Sequence, residues 1–103
     1  MELRTLISNY SDFLYFYKNS FPNSIFHNSN IYHRDIQYVL TRYIQKKENK
    51  TLSVFKSENM AFGIEDELMK KGVFKKISDR SWTLNYPDFR KQPEIKETVK
   101  EVK

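Results

Sequence analysis

The sequence of 103 residues contains no cysteine, only two glycines and three prolines, and no long apolar run. Without cysteine the chain cannot form a disulfide, use a thiol nucleophile or bind a metal through thiolates. Two glycines cannot supply the glycine-rich loops of P-loop or dinucleotide-binding proteins. No stretch approaches the roughly 20 apolar residues of a membrane span, and the polar residues near the N-terminus disagree with a signal peptide. We therefore expect a cytoplasmic protein with no membrane partner.

Patterns of catalytic or metal-binding residues are also missing. His27 and His33 lie in or beside a polar segment without metal-ligand spacing, so we expect them to be solvated or to cap a helix. Glu65, Asp66 and Glu67 are consecutive, and neighbouring helical side chains point about 100° apart. They cannot converge on one ion, and we expect a solvated acidic face. The sequence therefore predicts no catalytic residue, no metal and no cofactor, and a protein that is not an enzyme.

The chain is instead rich in positive charge and in aromatic residues. Eighteen Lys and Arg against thirteen Asp and Glu give a net charge of +5, and 16% of the residues are aromatic. The excess charge is confined to residues 31–50 and 73–91, each with a net charge of +3. Clustered positive charge is expected of a protein that binds a polyanion. The alternative is a basic but ordinary solvated surface.

The clearest local pattern lies between Gly72 and Tyr86. Apolar and polar residues alternate over residues 73–77 and again over 82–86, and the segment 78–81 between them has turn-forming Ser and Asp. This predicts a β-hairpin with a loop of about four residues, with Trp82 and Leu84 packed toward the helices. Strict alternation cannot bury residues 73, 74 and 77 together, so we expect a bulge near Lys75.

The N-terminal region from Leu3 to about Phe21 has helical spacing of apolar residues, either as one bent helix or as two short ones. Ser11 and Asp12 are candidate caps of the second piece. A polar loop follows from Pro22. Aromatic residues are unusually dense here, and two of them lie off the apolar stripe. We predict a homodimer interface, with simple core packing as the alternative, formed by Tyr10, Phe13, Tyr15, Phe16 and Tyr17.

The middle of the chain has a long helical stripe that begins after candidate caps at residues 28–30 and ends in the lysine-rich segment 46–50. We expect a short strand over Thr51 to Ser53, a brief helix over residues 54–59, and a further helix over about residues 61–71. Gly72 has the position of a helix-terminating glycine in the left-handed conformation.

The segment Glu67-Leu68-Met69-Lys70-Lys71-Gly72-Val73-Phe74 followed by Arg80-Ser81-Trp82-Thr83-Leu84 resembles the end of a winged helix-turn-helix domain. The resemblance covers about residues 33–86. It implies an α+β fold in which a three-helix core precedes a C-terminal β-hairpin wing, here with an additional aromatic helix at the N-terminus. We expect a single domain over residues 1–87 and a charged, flexible tail over residues 88–103.

For this family the resemblance implies a dimer that binds double-stranded DNA, with the third helix in the major groove and the wing on the minor groove or the backbone. The present sequence departs from that pattern because its third helix is acidic. We therefore predict phosphate contacts from the wing and from the basic helix end. The predicted DNA-binding residues are Lys46, Lys47, Lys50, Lys56, Lys75, Lys76 and Arg80.

The small size and the Asn-, Lys-, Ile- and Tyr-rich composition resemble small plasmid- or phage-borne DNA-binding proteins. Among these the chain is similar in kind to relaxosome accessory proteins that mark an origin of transfer for a conjugation relaxase, and to partition proteins. The expected partners are double-stranded DNA, a second copy of the chain and a relaxase or another component of a nucleoprotein complex. Transcription regulation is a further role of such proteins. The alternative is a protein-interaction module that uses the acidic helix and the aromatic N-terminal region.

Overall fold

A computed structural model describes residues 1–90 as helices packed against one antiparallel sheet, which confirms the α+β class. None of the helices in this range combines the length and apolar character that crossing a lipid bilayer requires. In chain order the elements are α1 (Leu3–Ser8), α2 (Tyr10–Ser20), β1 (Asn30–Tyr32), α3 (His33–Glu48), α4 (Val54–Lys70), β2 (Phe74–Ser78), β3 (Ser81–Leu84) and a 3₁₀ turn (Pro87–Phe89).

The three strands form a sheet in the order β1, β3, β2, with both pairings antiparallel. The predicted hairpin is present, but its connection is shorter than the expected four residues, because Ser78 and Ser81 pair and their hydroxyl oxygens lie 2.6 Å apart. Only Asp79 and Arg80 form the turn. The register shift falls between Lys76 and Ser78, two residues beyond the predicted position near Lys75.

The register shift decides which side chains of the hairpin are buried. Val73 and Phe74 both lie in the core, whereas Ile77 is 56% exposed. Trp82 and Leu84 are buried, as the alternation predicted, and the Trp82 ring lies 5.7 Å from that of Phe74. Of the three apolar residues 73, 74 and 77, the fold therefore exposes the one nearest the turn.

The first strand lies outside the segment expected from the sequence. Residues 51–53 form no strand, and Asn30–Tyr32 pairs with β3 instead, with buried Ile31 opposite Trp82. Backbone hydrogen bonds extend this pairing, because Asn28 N donates to the Leu84 carbonyl oxygen at 2.7 Å. The residues expected to cap α3 therefore pair with β3 at the edge of the sheet. Helix α3 begins at His33 without a side-chain cap.

The two helices expected over residues 54–59 and 61–71 are one continuous helix, α4. Ser53 caps it by accepting a hydrogen bond from the Lys56 backbone N–H at 3.1 Å. Gly63 lies within the helix, where a Cβ would meet the end of the Leu3 side chain of α1. Gly72 follows the helix with φ +79°, the left-handed conformation that the sequence predicted.

The N-terminal region forms two short helices separated at Asn9, which confirms the second of the two expected arrangements. Neither Ser11 nor Asp12 caps α2, since its N-cap is Asn9. At the other end the fold continues past the predicted domain boundary at residue 87, because Phe89 is 1% exposed and contacts the ring of Tyr15. The rest of the predicted tail, residues 91–103, lies outside the described residues.

Candidate nucleic-acid interface

Helices α3 and α4 follow each other in the chain and are joined by a short connection. Asn49 ends α3 in the left-handed conformation at φ 54°. The connection then brings the lysine-rich end of α3 beside the start of α4. Lys50 and Lys56 line the same surface concavity, of about 430 Å³, together with Asn59. Two of the predicted DNA-binding lysines are thus brought together from different elements.

The predicted wing cations lie on the hairpin. Lys75 and Lys76 are exposed on β2, and Arg80 is exposed in the turn. The Lys76 ammonium lies 3.5 Å from the carboxylate of Asp79, a pair that water screens strongly. The Arg80 guanidinium lies over the Phe62 ring of α4, 5.8 Å from its centroid. The turn of the hairpin therefore contacts the exposed face of α4.

Besides Lys76, one more predicted DNA-binding residue is already in an ion pair. Lys47 Nζ lies 3.0 Å from Asp12 Oδ2 on α2, and the same carboxylate accepts a hydrogen bond from the Tyr43 hydroxyl at 2.7 Å. These two contacts hold the pKa of Asp12 below its usual value, with the Tyr43 hydrogen bond as the larger cause. Lys47 therefore stabilises the contact between α2 and α3 and is less available to a ligand than its neighbours.

The acidic face predicted for residues 65–67 is wrong at Glu65. This side chain is 2% exposed, and its Oε2 lies 2.6 Å from Nδ1 of His33, which is itself 4% exposed. Burial raises the pKa of the Glu65 carboxyl, while His33 and the nearby Arg80 charge act in the opposite direction. His33, expected to be solvated or to cap a helix, is instead buried and stacked on Phe62 at 4.5 Å.

The other two carboxylates of that segment lie near one lysine. Lys70 Nζ is 3.3 Å from Asp66 and 3.5 Å from Glu67, and all three groups are substantially exposed. The N-terminal half of α4 carries Glu58 as its one carboxylate within residues 54–61. The exposed face of α4 is consequently more apolar and less acidic than expected. Its largest exposed apolar side chains are Val54 at 76%, Phe55 at 72% and Phe62 at 43%.

Two arginines that the sequence-based selection left out also lie on this side of the molecule. Arg34 and Arg42 are exposed on α3, and Arg34 lines a concavity of about 500 Å³ together with Arg80. Both residues belong to the basic block 31–50. Their spacing with Tyr38, four residues from each, could have identified a second face of α3 opposite its apolar stripe.

The aromatic residues of α2 are divided between the core and the surface. Phe13 and Tyr17 are 0% and 1% exposed, so they pack inside the fold and present no surface to a second copy. Tyr10 and Phe16 are partly buried against the core, and Tyr15 is 45% exposed. Only these three predicted interface residues are accessible, and the homodimer contact stays a prediction that depends on them.

The described residues define an α+β protein whose two longest helices and β-hairpin carry exposed cations. Within residues 1–90 no group of three or more His, Asp or Glu side chains is arranged to hold a metal ion. Comparison with protein-family models, with curated proteins and with solved structures gives no match for the chain.

Proposed function

We propose that the chain is a winged helix-turn-helix protein that binds double-stranded DNA as a homodimer. The observation that carries the proposal is the order of the elements: helices α3 and α4 joined by a short turn, followed by the basic hairpin β2–β3. The strand that pairs with the hairpin at the sheet edge is β1, in place of the segment 51–53 expected from the sequence. The three-helix core then consists of α2, α3 and α4, one helix earlier than the sequence indicated.

The distribution of ion pairs supports phosphate binding. Within the described residues, the ammonium and guanidinium groups of Lys50, Lys56, Lys75 and Arg80 have no carboxylate at ion-pair distance. They come from the turn after α3, from the first turn of α4 and from the hairpin. Cations that are not neutralised by the protein itself are free to displace counterions from a DNA backbone.

The burial of Glu65 weakens the objection to placing α4 near DNA. Because this carboxylate is paired with His33 inside the fold, it does not face a ligand. The exposed stripe along α4 consists of Phe55, Asn59, Phe62 and Asp66, in which Asp66 is the one acidic group. We propose that the wing and the helix end supply the phosphate contacts, and that α4 lies close to the duplex without repelling it.

The proposed biological setting follows from the composition. A small, cysteine-free, basic protein rich in Asn, Lys, Ile and Tyr fits a plasmid-borne accessory protein. We propose a role at a conjugation origin of transfer, where a relaxase would be the protein partner, with partition and transcription regulation as other settings of the same DNA-binding activity.

Replacing Lys75 or Arg80 by alanine is expected to weaken binding to all duplex sequences to a similar degree, because a phosphate contact carries no sequence information. Each replacement should also flatten the dependence of log affinity on log salt by about one unit. The measurement is a fluorescence titration with labelled duplexes at fixed salt, with folding checked by circular dichroism.

Asp66→Ala is the matched control, because Asp66 is exposed on α4 and its removal leaves the core intact. It should leave duplex binding unchanged or slightly stronger. Glu65→Ala is unsuitable as a control, since Glu65 is buried. Loss of binding in Asp66→Ala together with normal binding in the hairpin variants would contradict the proposed contact surface.

The homodimer is tested by sedimentation of the full chain. We expect a dimer at protein concentrations of about tens of micromolar, with Tyr10, Tyr15 and Phe16 at the contact. Tyr15→Ser should shift the equilibrium toward monomer, because this residue is the most exposed of the three. A wild-type chain that sediments as a monomer at this concentration would remove the dimer from the proposal.

A second candidate function is a protein-interaction module. It is favoured by the exposed apolar side chains of Val54, Phe55 and Phe62 on α4, which neither phosphates nor water would stabilise. Under this alternative, Phe55→Ser would abolish partner binding and the hairpin lysines would be dispensable. Absence of salt-dependent binding to duplex DNA would favour this function over the first.

A further inference from the structure

The outward face of α3 carries a regular set of three side chains, Arg34, Tyr38 and Arg42, which we call the α3 track. Their spacing of four residues places them on one side of the helix. The Tyr38 side chain is 53% exposed, and the guanidinium of Arg42 lies over its ring, 5.7 Å from the centroid. A planar cation and an aromatic ring are therefore already in cation–π contact at the surface.

Three concavities adjoin along the track, because each shares an arginine with the next. The first, of about 500 Å³, contains Arg34 and the hairpin residue Arg80. The second, of about 320 Å³, lies between Arg34 and Arg42 beside the start of α4. The third, of about 580 Å³, contains Arg42 and Lys46. Together the three concavities line roughly 18 Å of α3, at the helical rise over residues 34–46, and we call this concave surface the groove.

The groove is strongly positive. Four cationic side chains line it, and Asp35 is the one carboxylate among the residues that line the three concavities. Within residues 1–90, Arg34, Arg42 and Arg80 have no carboxylate at ion-pair distance. A chain of phosphates would supply the missing negative charge at intervals along the groove.

The aromatic component distinguishes between two forms of DNA. In a duplex the bases are stacked on each other and present only their edges, so Tyr38 would have no base face to contact. An unpaired strand exposes base faces, which stack on aromatic rings and on guanidinium planes. Tyr32, 48% exposed beside Arg34 in the first concavity, offers a second ring of the same kind.

We propose that the α3 track binds an unpaired DNA strand, with phosphates on Arg34 and Arg42 and a base stacked on Tyr38. The proposal rests on the DNA-binding function above and adds a second substrate form to it. Arg80 belongs both to the hairpin and to the first concavity, so a duplex held by the hairpin would have an adjacent surface for a strand that leaves it.

The test is a fluorescence anisotropy titration of the full chain with a labelled deoxythymidine oligomer of roughly 15 nucleotides and with a blunt duplex of the same length. Tyr38→Leu removes the ring and should weaken binding of the oligomer roughly tenfold, whereas Tyr38→Phe keeps the ring and should bind like the wild type. Arg42→Gln should also weaken it and reduce its salt dependence. Arg4→Gln is the charge-matched control, because Arg4 is exposed on α1 away from the track.

The outcomes separate the two proposals. Oligomer binding that falls in Tyr38→Leu but not in Tyr38→Phe or Arg4→Gln, with duplex binding unchanged in Tyr38→Leu, supports the track. The same pattern without any duplex binding would support the track and overturn the duplex function. Duplex binding with no detectable binding of the oligomer, or equal binding by Tyr38→Leu and the wild type, would overturn the track while leaving the duplex function intact.

Discussion

Replacing Trp82 by alanine is expected to lower the free energy of unfolding by about 3–5 kcal/mol. The indole is 2% exposed, contacts Phe74 across the hairpin, and lies on the central strand opposite Ile31 and Lys76. Its removal would leave a cavity where the sheet meets the helices. The free-energy cost of this cavity adds to the cost of losing the apolar surface that the indole buries. The measurement is chemical denaturation followed by circular dichroism.

Ile77→Ala is the matched control on the same hairpin. Its side chain is 56% exposed at the register shift, so its truncation should change the free energy of unfolding by less than about 0.5 kcal/mol. A denaturation midpoint for Trp82→Ala as high as that for Ile77→Ala would contradict the packing of the hairpin against the helices.

Glu65→Ala is expected to cost about 1–3 kcal/mol of stability, the range for leaving a buried hydrogen-bonding group without its partner. The substitution leaves His33 buried without its 2.6 Å partner and removes a contact between α3 and α4. His33 also donates its backbone N–H to the Arg80 carbonyl oxygen at 2.9 Å, so this residue contacts both the hairpin turn and α4. The loss should appear as a lower denaturation midpoint with an unchanged slope.

Two further variants test whether the pairing itself is responsible. Asp66→Ala removes the neighbouring, exposed carboxylate and should change stability by less than about 0.5 kcal/mol. Glu65→Gln keeps a side chain that can hydrogen-bond His33 and should fall between the wild type and Glu65→Ala. Equal stabilities for Glu65→Ala and Asp66→Ala would mean that the His33–Glu65 contact does not contribute to folding.

The hairpin is the part of the fold that the sequence predicts best, because the residues that specify it lie within it or next to it. Alternation of apolar residues and the glycine at residue 72 both act within a few residues of the structure that they specify. The exposure of Ile77 could not be derived in the same way. Alternation showed that one apolar residue of β2 had to be displaced, but the choice depends on how β2 pairs with β3.

The predictions of secondary structure are wrong where an element depends on residues that are distant in the chain. Strand β1 has three residues, and its partner Trp82 lies about fifty residues later, so no periodicity marks it. The break expected near Asn59 is absent because buried Ser57, Ala61 and Ile64 continue one face of α4 against neighbouring elements. Helix propensity alone cannot show that tertiary packing will keep the residues near Asn59 helical.

In the candidate site, too, local features were predictable from the sequence and contacts between distant residues were not. The basic blocks are evident from charge counting, and five of the seven selected cations have no carboxylate at ion-pair distance within the described residues, the exceptions being Lys47 and Lys76. The pairing of Lys47 with Asp12 joins residues 35 positions apart and was not predictable from sequence. The burial of Glu65 depends on His33, 32 residues earlier, and it removes one of the three carboxylates of the predicted acidic face.

The measurement that tests the central claim most directly is a titration of the wild-type chain with duplex DNA at a series of salt concentrations. If Lys50, Lys56, Lys75 and Arg80 contact phosphates, log affinity should fall linearly with log salt, with a slope of about −0.9 for each contact. Four such contacts predict a slope of roughly −3.6 for each protomer. A chain that shows no binding at low salt, or binding that does not change with salt, would contradict the assignment of this basic surface to DNA.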